Sequence, residues 1–249
     1  MIKTNFSKED FDIVLQHYSL GGYVDSQPLT AGAVQTNFIL RTTRGKFVFR
    51  FYENRSKESV LFEADLIKYL RRNNFPCPAI LEARDGESIG IHRKKPYVIL
   101  EFVEGEHVEV PNEDQKKQLV RRVAGLQNIT SGYTPRNVEY RWNYSIELCR
   151  ELATGEVKRL GTKNAEEKLK WLTRELLKID LPGSLPKGVC HCDFHFSNVL
   201  FENGIFKALL DFDDANYTYG TYDLAALISP FASSFEWNTW SKFNKGENV

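Results

Sequence analysis

Residues 191–198 read His-Cys-Asp-Phe-His-Phe-Ser-Asn, and residues 210–213 read Leu-Asp-Phe-Asp. The first stretch sets Asp193 two places after a histidine and five places before Asn198. The second stretch sets Asp211 directly after a run of apolar residues. Their spacing limits both the fold and the chemistry of the chain.

The spacing H-x-D-x-x-x-x-N, followed by D-F-x, is typical of enzymes that transfer phosphoryl groups. Such a transfer needs a carboxylate that accepts the proton of the attacking hydroxyl, and we predict Asp193 for this catalytic role. It also needs ligands that hold Mg²⁺ against the phosphates of ATP, for which we predict Asn198 and Asp211. His195 is predicted as a second catalytic group, and Asp213 as a further polar group near the site.

A hairpin between the two stretches would bring the metal ligands together. Asn203-Gly204 favours a type I′ turn between two apolar runs, because both residues tolerate a positive φ. Counting back from a pair at Glu202 sets Asn198 opposite Leu209. Asp211 would then share the face of Asn198 at a diagonal distance of about 7–8 Å. Histidine, aspartate and asparagine are also ordinary turn residues, but the combination of both motifs with the hairpin favours a functional site.

The motif region resembles the HGDxxxxN and IDF/IDW motifs of the aminoglycoside phosphotransferase and choline kinase superfamily. In the amino-terminal half, residues 32–38, 47–53 and 100–105 look most like type II homoserine kinases of that superfamily. The resemblance covers residues 27–227. It implies a two-lobed, protein-kinase-like fold, dependence on ATP and Mg²⁺, and a small-molecule hydroxyl acceptor.

The order of predicted elements agrees with two lobes. We predict the α+β class, with an antiparallel-sheet lobe over residues 1–103 and a mainly helical lobe over residues 104–249. The predicted strands are three within residues 24–52, then 89–91, 96–102 and the hairpin. The predicted helices are 7–18, 56–73, 113–129, 144–153 and 165–179. Asn112 and Gln115 are predicted to form a capping box at the start of the third helix.

An arginine and a glutamate are predicted to pair in the first lobe. On the strand over residues 47–52, Arg50 shares a face with Val48, opposite the phenylalanines. Glu63 lies in the middle of an apolar helical stripe, where a carboxylate is costly unless it is paired. The kinase pattern has a lysine in place of Arg50, which touches phosphate and pairs with the helix glutamate. Arginine also binds phosphate, so we predict this role for Arg50, with a purely structural ion pair as the alternative.

Two further segments are predicted to bind the nucleotide. The loop containing Gly32, Gln35 and Thr36 stands where kinases cover the phosphates, although it has neither a glycine-rich nor a Walker pattern. An ordinary β-turn is an equal interpretation of this loop. By resemblance, the backbone at Glu101 and Val103 would bind adenine at the hinge between the lobes.

One further residue departs from the family pattern and another agrees with it. Cys192 replaces the usual glycine of the HGD motif, whereas Asp223 begins an Asp-Leu-Ala sequence like the one that anchors the catalytic loop. The family has further helices after this point that line the acceptor pocket. We therefore expect a reduced pocket and weak acceptor recognition, unless residues 229–249 complete it.

Composition excludes several classes of protein. Lys+Arg and Asp+Glu are equal at 33 each, which argues against a nucleic-acid partner. No apolar run approaches the roughly 18 residues of a membrane span, and we expect a cytoplasmic protein without a membrane partner. Zinc binding by residues 190–195 is disfavoured because no second ligand pair at C-x-x-C or H-x-x-x-H spacing occurs.

The sequence leaves three functions open. We favour an ATP-dependent phosphotransferase acting on a hydroxyl of a homoserine-, amino-alcohol- or aminoglycoside-like molecule. One alternative is a catalytically impaired, pseudokinase-like module that binds ATP. The other is a metallohydrolase that uses His191, Asp193, His195 and Asp211. The sequence does not fix the acceptor or the oligomeric state.

Overall fold

The computed structural model describes residues 4–29, 34–142 and 145–228. Gly32 and residues 229–249, which figured in the predictions, lie outside these ranges. The helices are α1 Lys8–Leu15, α2 Lys57–Arg72, α3 Glu113–Ile129, α4 Ile146–Leu160, α5 Lys163–Leu176 and α6 Thr221–Ile228. The strands are β1 Tyr23–Leu29, β2 Thr36–Thr42, β3 Gly45–Phe51, β4 Gly90–His92, β5 Lys95–Glu101, β6 Lys187–Cys190, β7 Val199–Glu202, β8 Ile205–Leu209 and β9 Asn216–Tyr219.

The first part of the chain forms a five-stranded antiparallel sheet in the order β1-β2-β3-β5-β4. Alternation along β3 decides which side chains face which core. Phe49 and Phe51 pack beneath α1 with Phe11, in a cluster rich in edge-to-face aromatic contacts. Val48 and Arg50 point to the opposite face, as predicted, where α2 lies.

Helix α2 carries the predicted apolar stripe. Ser56 caps its first turn, and Val60, Ala64, Ile67 and Leu70 are all buried. The cluster they belong to continues into the second half of the chain, through residues of α3, of the predicted catalytic segment (residues 191–198) and of the β7–β8 hairpin. The two predicted lobes therefore share one hydrophobic core beneath α2.

The second half contains more strand than we predicted. The antiparallel pair β6–β9 was missed because each strand has only 4 residues and its partner is distant in sequence. Helix α4 runs to Leu160 rather than ending at residue 153, and it stops at Gly161, whose φ of 61° ends the helix. Helix α3 has the predicted bounds and the predicted capping box between Asn112 and Gln115. Within the described parts of the chain, no helix is both long enough and apolar enough to cross a bilayer.

The β7–β8 hairpin has the predicted turn but not the predicted register. Asn203 and Gly204 both have positive φ, at 52° and 77°. An irregularity after Leu200 shifts the ladder by one residue, so that Leu209 pairs with Val199 instead of Asn198. The prediction that Asn198 lies opposite Leu209 is therefore wrong, because a bulge cannot be read from a short apolar run.

Candidate active site

The catalytic segment is anchored by a buried carboxylate. Asp223, in the first turn of α6, accepts hydrogen bonds from the backbone amides of His191 at 3.0 Å and Cys192 at 2.9 Å. Burial raises the pKa of Asp223, although these bonds and the nearby His191 act against the shift. Cys192 has a φ of +65°, which explains why glycine is the usual residue at this position of the motif. The Asp223 contacts hold this strained turn in place.

The imidazole of His191 joins the catalytic segment to residues 210–213, the predicted metal motif. Its Nδ1 accepts a hydrogen bond from the amide of Asp193 at 3.3 Å, and its Nε2 donates to the carbonyl of Leu210 at 2.8 Å. The ring is fully buried against Phe194 and Phe212. His191 therefore orients Asp193 and fixes the residue that precedes Asp211.

Asp193 and Asn198 lie in direct contact. The Asn198 Nδ2 donates to Oδ2 of Asp193 at 2.6 Å and to its carbonyl at 3.0 Å. The carbonyl of Asn198 accepts from the amide of Leu210 at 2.7 Å, so both motifs meet at Leu210. Because Nδ2 is engaged, the Asn198 oxygen is the atom left for a cation, and oxygen is the donor that Mg²⁺ prefers.

Asp211 receives its direction from a turn rather than from strand alternation. It follows β8 with a φ of +62° and begins a single 3₁₀ turn over residues 212–214. Its carboxylate accepts from Arg50 Nη1 at 2.8 Å. The sheet and the metal motif are thus joined directly by the side chain predicted to bind phosphate.

Arg50 does pair with Glu63, but only at 3.5 Å. Its Nε also donates to Asn37 at 3.1 Å. Glu63 is 1% exposed, and its Oε2 has no hydrogen-bond partner within the described residues. Burial therefore raises the pKa of Glu63 to about 7, because Arg50 offsets only part of the cost of burying the charge. The closer partner of Arg50 is Asp211, which the sequence did not predict.

The sequence also missed two arginines that hold the 3₁₀ turn. Arg55, between β3 and α2, donates to Asp213 at 2.9 Å and to Asp214 at 3.0 Å. Arg141 is buried and donates to backbone carbonyls of Phe212 and Asp213. Neither arginine belongs to a recognisable motif. The available signal was the pair Asp213-Asp214, because two carboxylates between apolar residues require cationic partners when they are buried.

Burial alone would raise the pKa of Asp213, but the hydrogen bonds and charge of Arg55 hold it below its usual range. A side-chain bond of 2.9 Å from Gln35 acts in the same direction. Asp213 is therefore an ionised, buried carboxylate that connects the two halves of the protein. This is a more definite position than the general polar group predicted from sequence.

Three predicted site residues have defined hydrogen-bond partners. Gln35 is buried, and besides Asp213 it accepts from the amide of Glu53 at 2.7 Å. Thr36 is fully buried and donates to Glu53 at 2.7 Å. His195 accepts from the amide of Ser197 at 3.2 Å and so caps the turn before β7. The roles predicted for Gln35, Thr36 and His195 in nucleotide binding and catalysis stay predictions.

The hinge residues lie where β5 leaves the sheet. The amide of Glu101 donates to the carbonyl of Ala79 at 2.8 Å, and the carboxylate of Glu101 accepts from the amide of Ala79 at 3.2 Å. Val103 is half-buried, and no described residue bonds to its backbone. The backbone of Val103 is therefore available to a ligand, whereas that of Glu101 is partly used.

The geometry does not support the metallohydrolase alternative. Both ring nitrogens of His191 are engaged within the protein, so this histidine has no lone pair directed at a metal. Over the described ranges, no group of three or more His, Cys, Asp or Glu side chains could hold a metal ion. One aspartate and one asparagine suit Mg²⁺, which takes few protein ligands and shares its shell with phosphates and water.

A family model and two homoserine kinases match most of this chain. The model of the phosphotransferase enzyme family matches residues 25–242. Homoserine kinase of Bartonella tribocorum is 28% identical over 233 residues, covering 92% of this chain and 71% of the relative. Homoserine kinase of Methylobacterium nodulans is 30% identical over 232 residues, with the same coverage of both chains.

Solved structures show the same fold at lower identity. A microcompartment-associated aminopropanol kinase has a TM-score of 0.65 at 17% identity, covering 89% of this chain and 74% of that one. An amicoumacin kinase in complex with AMP-PNP and Ca²⁺ has a TM-score of 0.64 at 17% identity, covering 89% and 69%. These neighbours confirm the α+β fold predicted from sequence. Because the family model matches most of its residues, the chain belongs to the phosphotransferase enzyme family.

Proposed function

We propose that this protein is an ATP-dependent kinase that phosphorylates a hydroxyl of a small molecule. One observation carries the proposal: the side chains of Asp193 and Asn198 are in contact. Leu210, directly before Asp211, bonds to the backbone of Asn198 and to the side chain of His191, which also accepts from the amide of Asp193. These contacts support a shared site for the three side chains that we assign to phosphoryl transfer.

Asp193 would act as the base. It is exposed, and Asn198 occupies only Oδ2, while no described residue donates to Oδ1. The acceptor oxygen would attack the γ-phosphorus as its proton passes to Asp193, and the bond from the phosphorus to ADP would break. The hydrogen bond from Asn198 keeps the carboxylate in one orientation for this step.

Asn198 and Asp211 would hold Mg²⁺, and Arg50 would hold phosphate. A cation bound there would neutralise part of the negative charge on the phosphate oxygens. Arg50 reaches Asp211 at 2.8 Å, so its guanidinium already lies beside the place proposed for the metal. An arginine presents several donors in one plane, so it can touch a phosphate while it keeps its bond to Asn37.

We propose residues 1–103 as the nucleotide-binding lobe and residues 104–249 as the catalytic lobe. Glu101 ends β5 at this boundary, and the available backbone of Val103 supports adenine binding at the hinge. Gly32, Gln35 and Thr36 belong to the proposed phosphate-covering loop, and the contacts of Gln35 and Thr36 with Glu53 hold the described end of it.

Homoserine is the first candidate acceptor. Two relatives with the name homoserine kinase share 28% and 30% identity with this chain over most of its length. Amino alcohols and aminoglycosides are the other classes, because structural neighbours include an aminopropanol kinase and an aminoglycoside phosphotransferase bound to streptomycin and ATP. We expect Mg·ATP as the phosphoryl donor.

The test is a coupled assay of ADP release with Mg·ATP and a panel of hydroxyl compounds. The panel contains homoserine, choline, ethanolamine, hydroxylysine, methylthioribose and aminoglycosides. We expect stimulation by one of them, and it should be strong and saturable only if residues 229–249 complete the acceptor pocket. ATP binding without turnover of any compound would favour the impaired, ATP-binding alternative and would contradict the proposal.

The variant Asp193→Asn tests the assignment of Asp193 as the base. It keeps the shape of the side chain and removes its basicity, so we expect kcat to fall about 10²–10⁴-fold with little change in ATP affinity. Isothermal titration with Mg·AMP-PNP measures the affinity. Near-normal turnover of the identified acceptor by this variant would refute the assignment of Asp193 as the base.

A further inference from the structure

The 3₁₀ turn over residues 212–214 is held by Arg55 through four hydrogen bonds. The Arg55 Nε donates to Oδ1 of Asp213 at 2.9 Å, and Nη2 donates to Oδ2 of Asp213 at 3.3 Å. Nη2 also donates to the carbonyl of Asp213 at 3.1 Å and to Oδ1 of Asp214 at 3.0 Å. The side chain of Arg55 is only 6% exposed, so these bonds are largely protected from water.

The other side of the same turn is held from the second half of the chain. Arg141 donates to the carbonyls of Ala215 at 2.9 Å and Phe212 at 3.2 Å, and also to that of Asp213. A single helical turn leaves most of its carbonyls without internal partners, so such donors are needed when the turn is buried. Arg141 also donates to the carbonyl of Ser59 in α2 at 3.0 Å, so the position of Arg141 is itself fixed by this helix.

Asp211 begins this turn, in a backbone conformation that depends on it. A φ of +62° is unfavourable for an aspartate and persists only where neighbouring contacts impose it. Arg141 holds the backbone of the turn, whereas Arg55 holds both of its acidic side chains. Of the two, Arg55 lies on the segment between β3 and α2, so it relates the turn to the sheet that carries Arg50.

We propose that Arg55 is a positioning residue for the metal ligand Asp211. By tying Asp213 and Asp214 to the β3–α2 connection, it fixes the direction of the Asp211 carboxylate relative to Arg50. It touches neither metal nor substrate itself. The proposal rests on the function proposed above, since it assigns Asp211 to the metal.

A structural ion pair is the competing explanation. Arg55 also lies over the ring of Trp142 at 5.1 Å, and removal of one partner from a buried ion pair destabilises a fold whatever its function. The two explanations differ in one measurable respect. A structural pair affects the fraction of folded protein, whereas a positioning residue affects the metal affinity of the protein that is folded.

The experiment measures Mn²⁺ binding by electron paramagnetic resonance in the presence of AMP-PNP. Arg55→Lys keeps the charge but cannot form the fork of bonds to two carboxylates. Loss of a partner that orients metal ligands typically weakens metal binding about 10–100-fold, and we expect this range for the folded variant. Arg41→Lys is the matched control, because Arg41 forms an exposed ion pair with Asp25 on the five-stranded sheet. This variant should bind Mn²⁺ like wild type.

A second variant protects the test against misfolding. Asp214→Asn removes one charged partner of Arg55 at a site that is 33% exposed, so it should fold. We expect a smaller loss of Mn²⁺ affinity than in Arg55→Lys, with an unchanged far-ultraviolet circular dichroism spectrum. Wild-type Mn²⁺ affinity in both folded variants would overturn the proposal while leaving the proposed function intact. If wild type itself binds no Mn²⁺ with AMP-PNP, the proposed function fails first.

Discussion

The ionisation of Glu63 gives the most exacting prediction. Burial raises its pKa from an ordinary value of 4.5 to about 7. The folded protein therefore binds more protons than the unfolded chain between these values, and unfolding releases the difference. Stability contributed at this site is present at low pH and is lost as the pH rises through this window. A shift of this size corresponds to about 3 kcal/mol, at 1.36 kcal/mol for each pH unit.

The substitution Glu63→Gln removes the titration and nearly preserves the shape of the side chain. The free energy of unfolding of wild type minus that of the variant should fall by about 3 kcal/mol between about pH 4 and about pH 8. Urea denaturation followed by circular dichroism at several pH values measures both terms. Other groups titrate in both proteins, so their contributions cancel in the difference.

Glu53→Gln supplies a control of opposite sign. Glu53 is also buried, which by itself would raise its pKa, but hydrogen bonds from Lys95, Thr4 and Thr36 hold that pKa below its usual value. Its contribution is present at neutral pH and is lost as the pH falls, so the corresponding difference should rise with pH. A difference for Glu63→Gln that is independent of pH would refute the reasoning, because it would mean that Arg50 compensates the buried charge fully.

Two further predictions concern Arg50 and Cys192. Arg50→Ala should raise the KM for ATP about tenfold or more, because a hydrogen bond to a charged group contributes about 1.5–3 kcal/mol, whereas Glu63→Gln should change this KM much less. Steady-state kinetics with the acceptor from the screen measures both, and equal KM values for Arg50→Ala and wild type would mean that the Arg50 ion pairs are only structural. Cys192→Gly should be about 1 kcal/mol more stable than Cys192→Ala, because only glycine adopts the φ of +65° without a steric cost. Thermal denaturation of the two variants decides this, and an alanine variant of equal or higher stability would contradict it.

Features that depend on residues near one another in sequence were predicted well. The Asn203-Gly204 turn and the capping box of α3 follow from local backbone chemistry, which acts wherever those residues occur. Alternation along β3 was also enough to put Arg50 on the face of Glu63, since a strand turns successive side chains to opposite sides. The catalytic spacing likewise identified Asp193 and Asn198, which the structure brings into contact.

Tertiary structure alone decided how the metal motif is held. The Arg55 bond to Asp213 joins residues 158 positions apart, and the Asp223 bond to His191 joins residues 32 apart. No local pattern specifies such partners, because a charged side chain can pair with any opposite charge that packing brings near. The direction of Asp211 depends in the same way on a bulge in the hairpin and on the turn that Arg55 and Arg141 enclose. The sequence by itself predicted which groups would carry the chemistry, and the packing of distant segments determined where their oxygen atoms point.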